Sequence, residues 1–285
     1  MAKVAWRGNG MSVRLNAHGK LRNGWWAAIF MAVLTMLLLP CLLASQHFGR
    51  ELSIAEQAVI ILAATWICQR LRRMPLSEVL GRLNGVWARQ LALGCGLGAA
   101  LMLAPALVLA LGGWISWRPN PAGLDAFTAS LAVMAAVAVA EELMFRGFLF
   151  QRFVAGLGVW PAQILIGGLF LLTHLDNDGM QGAAKVWAGI NIFLASILFG
   201  LAYLRTQSLA LPIGIHFMAN VTQGGILGLG VSGASEQGLL APHLASGLTW
   251  LTGGSFGLEA SLPGLVAVIV LLVILVRWRG LATPD

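Results

Sequence analysis

Eight hydrophobic stretches, near residues 25–45, 54–70, 90–115, 126–152, 160–175, 186–205, 209–229 and 262–278, take up most of this chain. An α-helix needs roughly 20 apolar residues to cross the hydrocarbon of a bilayer, and most of these stretches approach that length. In lipid only helices and closed barrels satisfy their own backbone hydrogen bonds, and runs this uniformly apolar lack the alternation of barrel strands. Charged residues make up 10% of the chain and hydrophobic ones 58%, whereas a soluble domain carries about 25% charged residues. The expected class is all-α, a polytopic membrane protein of about eight transmembrane helices around a polar intramembrane cavity.

The net charge of +7 is read as topology rather than as affinity for nucleic acid, because the basic residues gather in particular loops. With the amino terminus inside, 15 of the 18 basic residues fall on the inner side or next to it, and only Arg50, Arg118 and Lys185 lie outside. That bias fits eight spans with both termini cytoplasmic, as in a prokaryotic inner membrane. The polar residues 1–24 are expected to form a cytoplasmic tail. The long segment 231–261 contains neither Lys nor Arg, so it is placed outside, as a Gly- and Ser-rich loop of irregular structure. Cys41, Cys68 and Cys95 lie in apolar runs without CxxC spacing and are read as small buried hydrophobes.

Ionisable groups inside a bilayer are costly and usually mark a working site. Glu141, Glu142 and Arg146 lie in VAVAEELMFRGFLF, His174 ends FLLTH, and His216 and Asn220 bracket HFMAN. Glu142 and Arg146 are spaced i, i+4 and share a helical face, while Glu141 points about 100° away. One acid is free for another task. A hairpin turning at Gly158 would set Glu141, 17 residues before it, level with His174, 16 residues after it. His216 and Asn220 also share a face. His216, however, follows the start of its span by only a few residues, so tilt or a sunken connecting loop has to carry it inward. Taken singly, each group also fits a structural ion pair, an interfacial histidine or polar glue between helices.

Two other patterns point elsewhere and are set aside. Gly230-Val231-Ser232-Gly233 spells a GxSG serine motif, but the only later histidine, His243, lies in the same loop. Asp176 and Asp178 occupy one short outer loop and read as solvated acids.

EELMFR, FLLTH and HFMAN fit the patterns EExxxR, FxxxH and HxxxN. In this order, over roughly residues 126–225, they resemble the CAAX-prenyl-protease and bacteriocin-processing (CPBP or Abi) family of intramembrane endopeptidases. The resemblance implies that 25–120 hold amino-terminal transmembrane helices, 121–230 the catalytic core, and 262–285 a last helix with a short tail. It implies that Glu141 activates water, helped by His174, that Glu142 pairs with Arg146, and that His216 and Asn220 serve an oxyanion. The substrate would be a membrane-associated peptide or protein reached from the bilayer, with the cavity mouth on the cytoplasmic side. No cofactor is expected. A zinc-dependent variant would draw on Glu141, His174 and His216, although the HExxH zinc helix is absent. The alternative is a non-catalytic immunity or regulatory protein of the same fold, or a small transporter.

Overall fold

A computed structural model describes residues 15, 19 and 21–280 of the chain. Most of the tail expected at 1–24, and the last five residues, lie outside the described residues. The described chain is helical almost throughout: α1 (Asn23–His47), α2 (Ile54–Arg72), the short α3 (Ser77–Leu80), α4 (Gly85–Leu111), α5 (Gly123–Phe145), α6 (Phe148–Leu157), α7 (Val159–Leu172), α8 (Gly182–Thr206), α9 (Ala210–Asn220), the short α10 (Thr249–Thr252) and α11 (Leu262–Arg277).

The starts of several helices are written in the sequence. Ser53 and Glu56 form a reciprocal capping box at α2. The Asn84 side chain accepts from the Val86 and Trp87 N–H groups at α4, and Ser261 caps α11 ahead of Pro263. Between α6 and α7, Gly158 turns the chain at a φ of 90°, a conformation that favours glycine.

Five helical stretches are long and apolar enough to cross a membrane: α1, α2, α4, the α5–α6 run and most of α8. α7 and α11 are apolar but shorter. The chain is thus an all-α polytopic membrane protein, but the seventh expected span differs from the rest. α9 has only 11 residues and passes into a π-helical turn at Val221–Ile226. Its first residues, Ala210, Leu211 and Pro212, are already buried, and so are Ser208 and Leu209 before it. The start of α9 is thus covered by protein, and His216 follows within two turns.

α9 is held there by α4. A Cβ at Gly98 would overlap the Ile215 carbonyl oxygen, and one at Gly94 would overlap the Leu211 oxygen. From the other side, a Cβ at Gly214 would run into the Leu91 oxygen. Gly94 and Gly98 are a GxxxG pair, the spacing that lets helix backbones touch in a bilayer.

The segment between α9 and α11 is more ordered than its composition suggests. Leu240–Leu244 (β2) pairs antiparallel with Ile115–Pro119 (β1), in register Ile115 with Leu244 through Pro119 with Leu240. Trp117 Nε1 donates to the Leu227 carbonyl at 2.9 Å, and Asn120 Nδ2 to the Gly238 carbonyl at 2.9 Å. These bonds staple the loop over one end of the bundle.

The opposite end is basic. There Arg72 and Arg152 converge on Glu78, Arg152 reaches Asn23 at the start of α1, and Arg205 donates to the Leu275 and Val276 carbonyls at the end of α11. The described ends of the chain therefore share the basic end, away from the β ribbon.

Candidate active site

α5 brings three of the charged groups inward. Glu142 and Arg146 are fully buried, with Arg146 Nη1 donating to Glu142 Oε1 at 3.2 Å. Arg146 Nη2 also donates to Ser196 on α8, to Oγ at 2.7 Å and to the carbonyl at 3.1 Å. The guanidinium lies 4.7 Å from the Phe170 ring centroid and 5.0 Å from that of Phe199, where ring faces offer it negative potential. A buried cation needs this much compensation, because a lone charge in a low-dielectric interior is strongly disfavoured. α5 ends at this residue. A Cβ at Gly147 would overlap the Leu143 oxygen, so the break before α6 requires glycine.

α9 adds the imidazole. His216 Nδ1 donates to Glu142 Oε1 at 3.0 Å, and Nε2 stands 3.7 Å from Glu141 Oε2. The ring stacks on Phe199 with centroids 5.0 Å apart and planes 12° apart. Histidine orientation is thereby set by a carboxylate on one side and a ring on the other. Glu141, unlike Glu142, lines a cavity of about 510 Å³, and the Oε2 atom of each acid is enclosed without a hydrogen-bond partner among the described residues.

His174 and Asn220 line the same cavity. His174 Nδ1 donates to the Phe170 carbonyl at 2.7 Å, which leaves Nε2 as an acceptor in the neutral ring. Asn220 is buried, and its side chain makes no hydrogen bond among the described residues. Four of the six expected residues, Glu141, His174, His216 and Asn220, thus share one cavity. Glu142 and Arg146 stand behind its wall.

The pairings differ in one respect from those read in the sequence. The hairpin argument set His174 against Glu141, yet no hydrogen bond or ion pair joins them among the described residues; the imidazole beside Glu141 is His216. Both side chains do line one cavity, with Phe145 of α5 against Phe170 of α7 one turn away, but His174 Nδ1 is bonded within its own helix while α9 brings His216 up to the acid.

The cavity also opens at an unexpected end. It runs from Glu141 toward Asp176, Asp178, Ser232 and Glu236, on the side of the β ribbon and away from the described ends of the chain. The acidic end of the cavity and the described ends of the chain thus lie at opposite ends of the bundle, whereas the sequence reading set termini and mouth on one face.

Ser196 and Asn191, both buried on α8, were missed in the sequence. A polar residue on an apolar helix, five positions apart from another, is a weak signal without the packing. Among the described residues no three His, Cys, Asp or Glu side chains gather as a metal-binding group. Glu141, His174 and His216 line one cavity without converging as a ligand set, and His216 Nδ1 is already bonded to Glu142.

Residues 123–222, which carry all three motifs, match the model of the type II CAAX prenyl endopeptidase Rce1-like family. Among curated proteins, "CAAX prenyl protease 2" of Methanococcus maripaludis is 27% identical over 140 residues, 44% of this chain and 52% of that protein. "Uncharacterized protein YyaK" of Bacillus subtilis is 37% identical over 84 residues, 29% of this chain and 27% of that protein. The chain thus spans about a quarter and about half of the lengths of these relatives. No solved structure matches.

Proposed function

We propose that the chain is an intramembrane endopeptidase of the CAAX-protease type, hydrolysing a peptide bond of a membrane-associated peptide or protein with a glutamate-activated water. The observation that carries this reading is the division of labour between neighbouring acids. Glu142 stands behind the cavity wall with its Oε1 taken by both Arg146 and His216, while Glu141 lines the cavity and its carboxylate accepts no hydrogen bond among the described residues.

In the proposed reaction Glu141 takes a proton from water as its oxygen attacks the scissile carbonyl carbon. His174 Nε2 accepts the water's second hydrogen and orients it. The carbonyl oxygen becomes an oxyanion, which accepts hydrogen bonds from Asn220 Nδ2 and from His216 Nε2–H in the imidazolium form. Two carboxylates, Glu142 and Glu141, flank that imidazolium. Donors fixed before the reaction stabilise developing charge without reorganising. The C–N bond then breaks, and Glu141 returns its proton to the leaving amine. Every step is carried by the chain's own residues, so no metal is invoked.

The basic end is proposed to face the cytoplasm, following the usual excess of Lys and Arg on that side. The cavity mouth then faces the opposite side of what is proposed to be a prokaryotic inner membrane.

The test is cleavage of a lipid-anchored peptide library by the purified protein in proteoliposomes, with products identified by mass spectrometry. Wild type should release fragments that the Glu141→Gln variant does not. Equal products from both would overturn the reading.

A further inference from the structure

The cavity has a charge of its own that the hydrolytic residues do not explain. Glu141, Asp176, Asp178, Glu236 and Glu259 line it. They are five of the 11 acidic residues in a chain whose net charge is +7. No Lys or Arg lines it among the described residues.

Two of these acids are partly buried without a counter-cation. Glu259 is held by neutral donors: the Ser232 N–H at 2.6 Å, Ser232 Oγ at 3.1 Å and Gln223 Nε2 at 3.4 Å. Glu236 makes no hydrogen bond or ion pair among the described residues, and burial pushes its carboxyl above the usual carboxylate range. Its stem lies against the π turn that follows Asn220, since a Cβ at Gly224 would come within 2.9 Å of Glu236 Cγ.

A second observation points independently to an occupant. Asn191 on α8 is 3% exposed and lines the same cavity. Its amide makes no hydrogen bond to any described residue, and its polar atoms are not among those fully enclosed, so they meet the cavity. Ser196, five residues further along the helix toward the basic end, is by contrast bonded to Arg146. An amide left free in this way can pair with the N–H or C=O of an extended peptide.

We infer that the cavity takes a peptide bearing a Lys or Arg side chain, with its cation at the acidic mouth formed by Asp176, Asp178 and Glu236 and its backbone hydrogen-bonded by Asn191. Glu236 gains a counterion on binding and Asn191 gains a partner, so both idle groups are explained by one ligand. The inference rests on the endopeptidase reading only in taking that ligand to be a peptide.

The probe is a library of N-acetylated peptides with a randomised centre and a C-terminal alkyl chain, offered to wild type and to the Glu141→Gln variant. Cleavage by wild type and retention by the variant are read separately. Lys and Arg should be enriched about twofold to fivefold over the input at one or two positions, the range of a partly screened ion pair. The enrichment should fall to the input level when Asp178→Asn and Glu236→Gln are added, with thermal unfolding unchanged. Asn191→Ala should weaken retention of all peptides alike, and Asn191→Gln should restore part of it. A second library with free amino termini separates a terminal ammonium from a side-chain cation; enrichment there alone would overturn the side-chain assignment.

The two readings fail separately. Cleavage without Lys or Arg enrichment overturns this inference and leaves the endopeptidase standing. Retained peptides enriched in Lys and Arg but never cleaved by wild type overturn the endopeptidase and leave the acidic mouth standing. No enrichment in either readout, or enrichment that survives removal of the two acids, overturns the inference.

Discussion

Glu142 accepts a hydrogen bond from His216 Nδ1 at 3.0 Å, joining α5 to α9 across 74 positions of sequence. The same carboxylate oxygen accepts from Arg146, so one acid ties together the ion pair, the imidazole and the helix that carries Asn220. Glu141, next in sequence, is left facing the cavity.

That arrangement separates the acids by what their loss would do. Glu142→Gln leaves the Arg146 cation fully buried without its anion, a change expected to cost about 3–5 kcal/mol. Thermal unfolding in detergent should show a clear loss of stability for this variant and little for Glu141→Gln. A Glu142→Gln variant as stable as wild type would mean that the buried ion pair does not hold the site.

The depth of α9 depends on glycine. Gly98→Ala would drive a methyl group into the Ile215 carbonyl, while a methyl at Gly96, on the same helix, would have nothing within 4 Å. Gly98→Ala should cost about 1–3 kcal/mol and lower cleavage further than stability alone explains, because α9 carries His216 and Asn220. Gly96→Ala should behave as wild type in both unfolding and cleavage assays. Equal effects at the two glycines would argue against close α4–α9 packing as the support of the site.

The amide and the metal question can be examined together. If Asn220 serves the oxyanion, Asn220→Ala should lower kcat by about 10²–10³ with little change in KM. Activity should also survive thorough chelation in metal-free buffer. Stoichiometric zinc in the purified protein, lost in His174→Ala and His216→Ala along with activity, would assign the chemistry to a metal instead.

Sidedness is open to cysteine labelling. With Cys41, Cys68 and Cys95 replaced, Ser235→Cys beside the mouth and Arg279→Cys at the basic end are both exposed positions. A membrane-impermeant maleimide applied to intact cells should label the first, and should reach the second only after lysis. The reverse pattern would turn the mouth to the cytoplasm.

How far the sequence carried the reading follows from which contacts are local. Glu142 and Arg146 are one helical turn apart, so their pairing was legible from spacing alone. The eight hydrophobic stretches were likewise legible as helices, because apolar length is a property of each segment. The partner of Glu141 was not, because it depends on two distant features. One is the bond of His174 Nδ1 to the Phe170 carbonyl, which turns that imidazole back onto its own helix although Phe170 itself meets Phe145 of α5. The other is the buried 208–209 connection, which lets an 11-residue helix start inside the protein. The close approach of Gly94 and Gly98 to α9 was not read from the sequence, because GxxxG spacing does not name the helix that will meet it. The β ribbon was hidden because its strands, 115–119 and 240–244, lie over 100 residues apart and show no strong alternation.

The most direct test of the central claim is single-turnover cleavage by proteoliposomes carrying wild type or Glu141→Gln, using a peptide selected from the library and protein shown to unfold at the same temperature. Glu141 as the base for water predicts that the variant still binds the peptide while its cleavage rate falls by about 10²–10⁴. A folded Glu141→Gln variant that cleaves the same peptide at the wild-type rate would contradict the account.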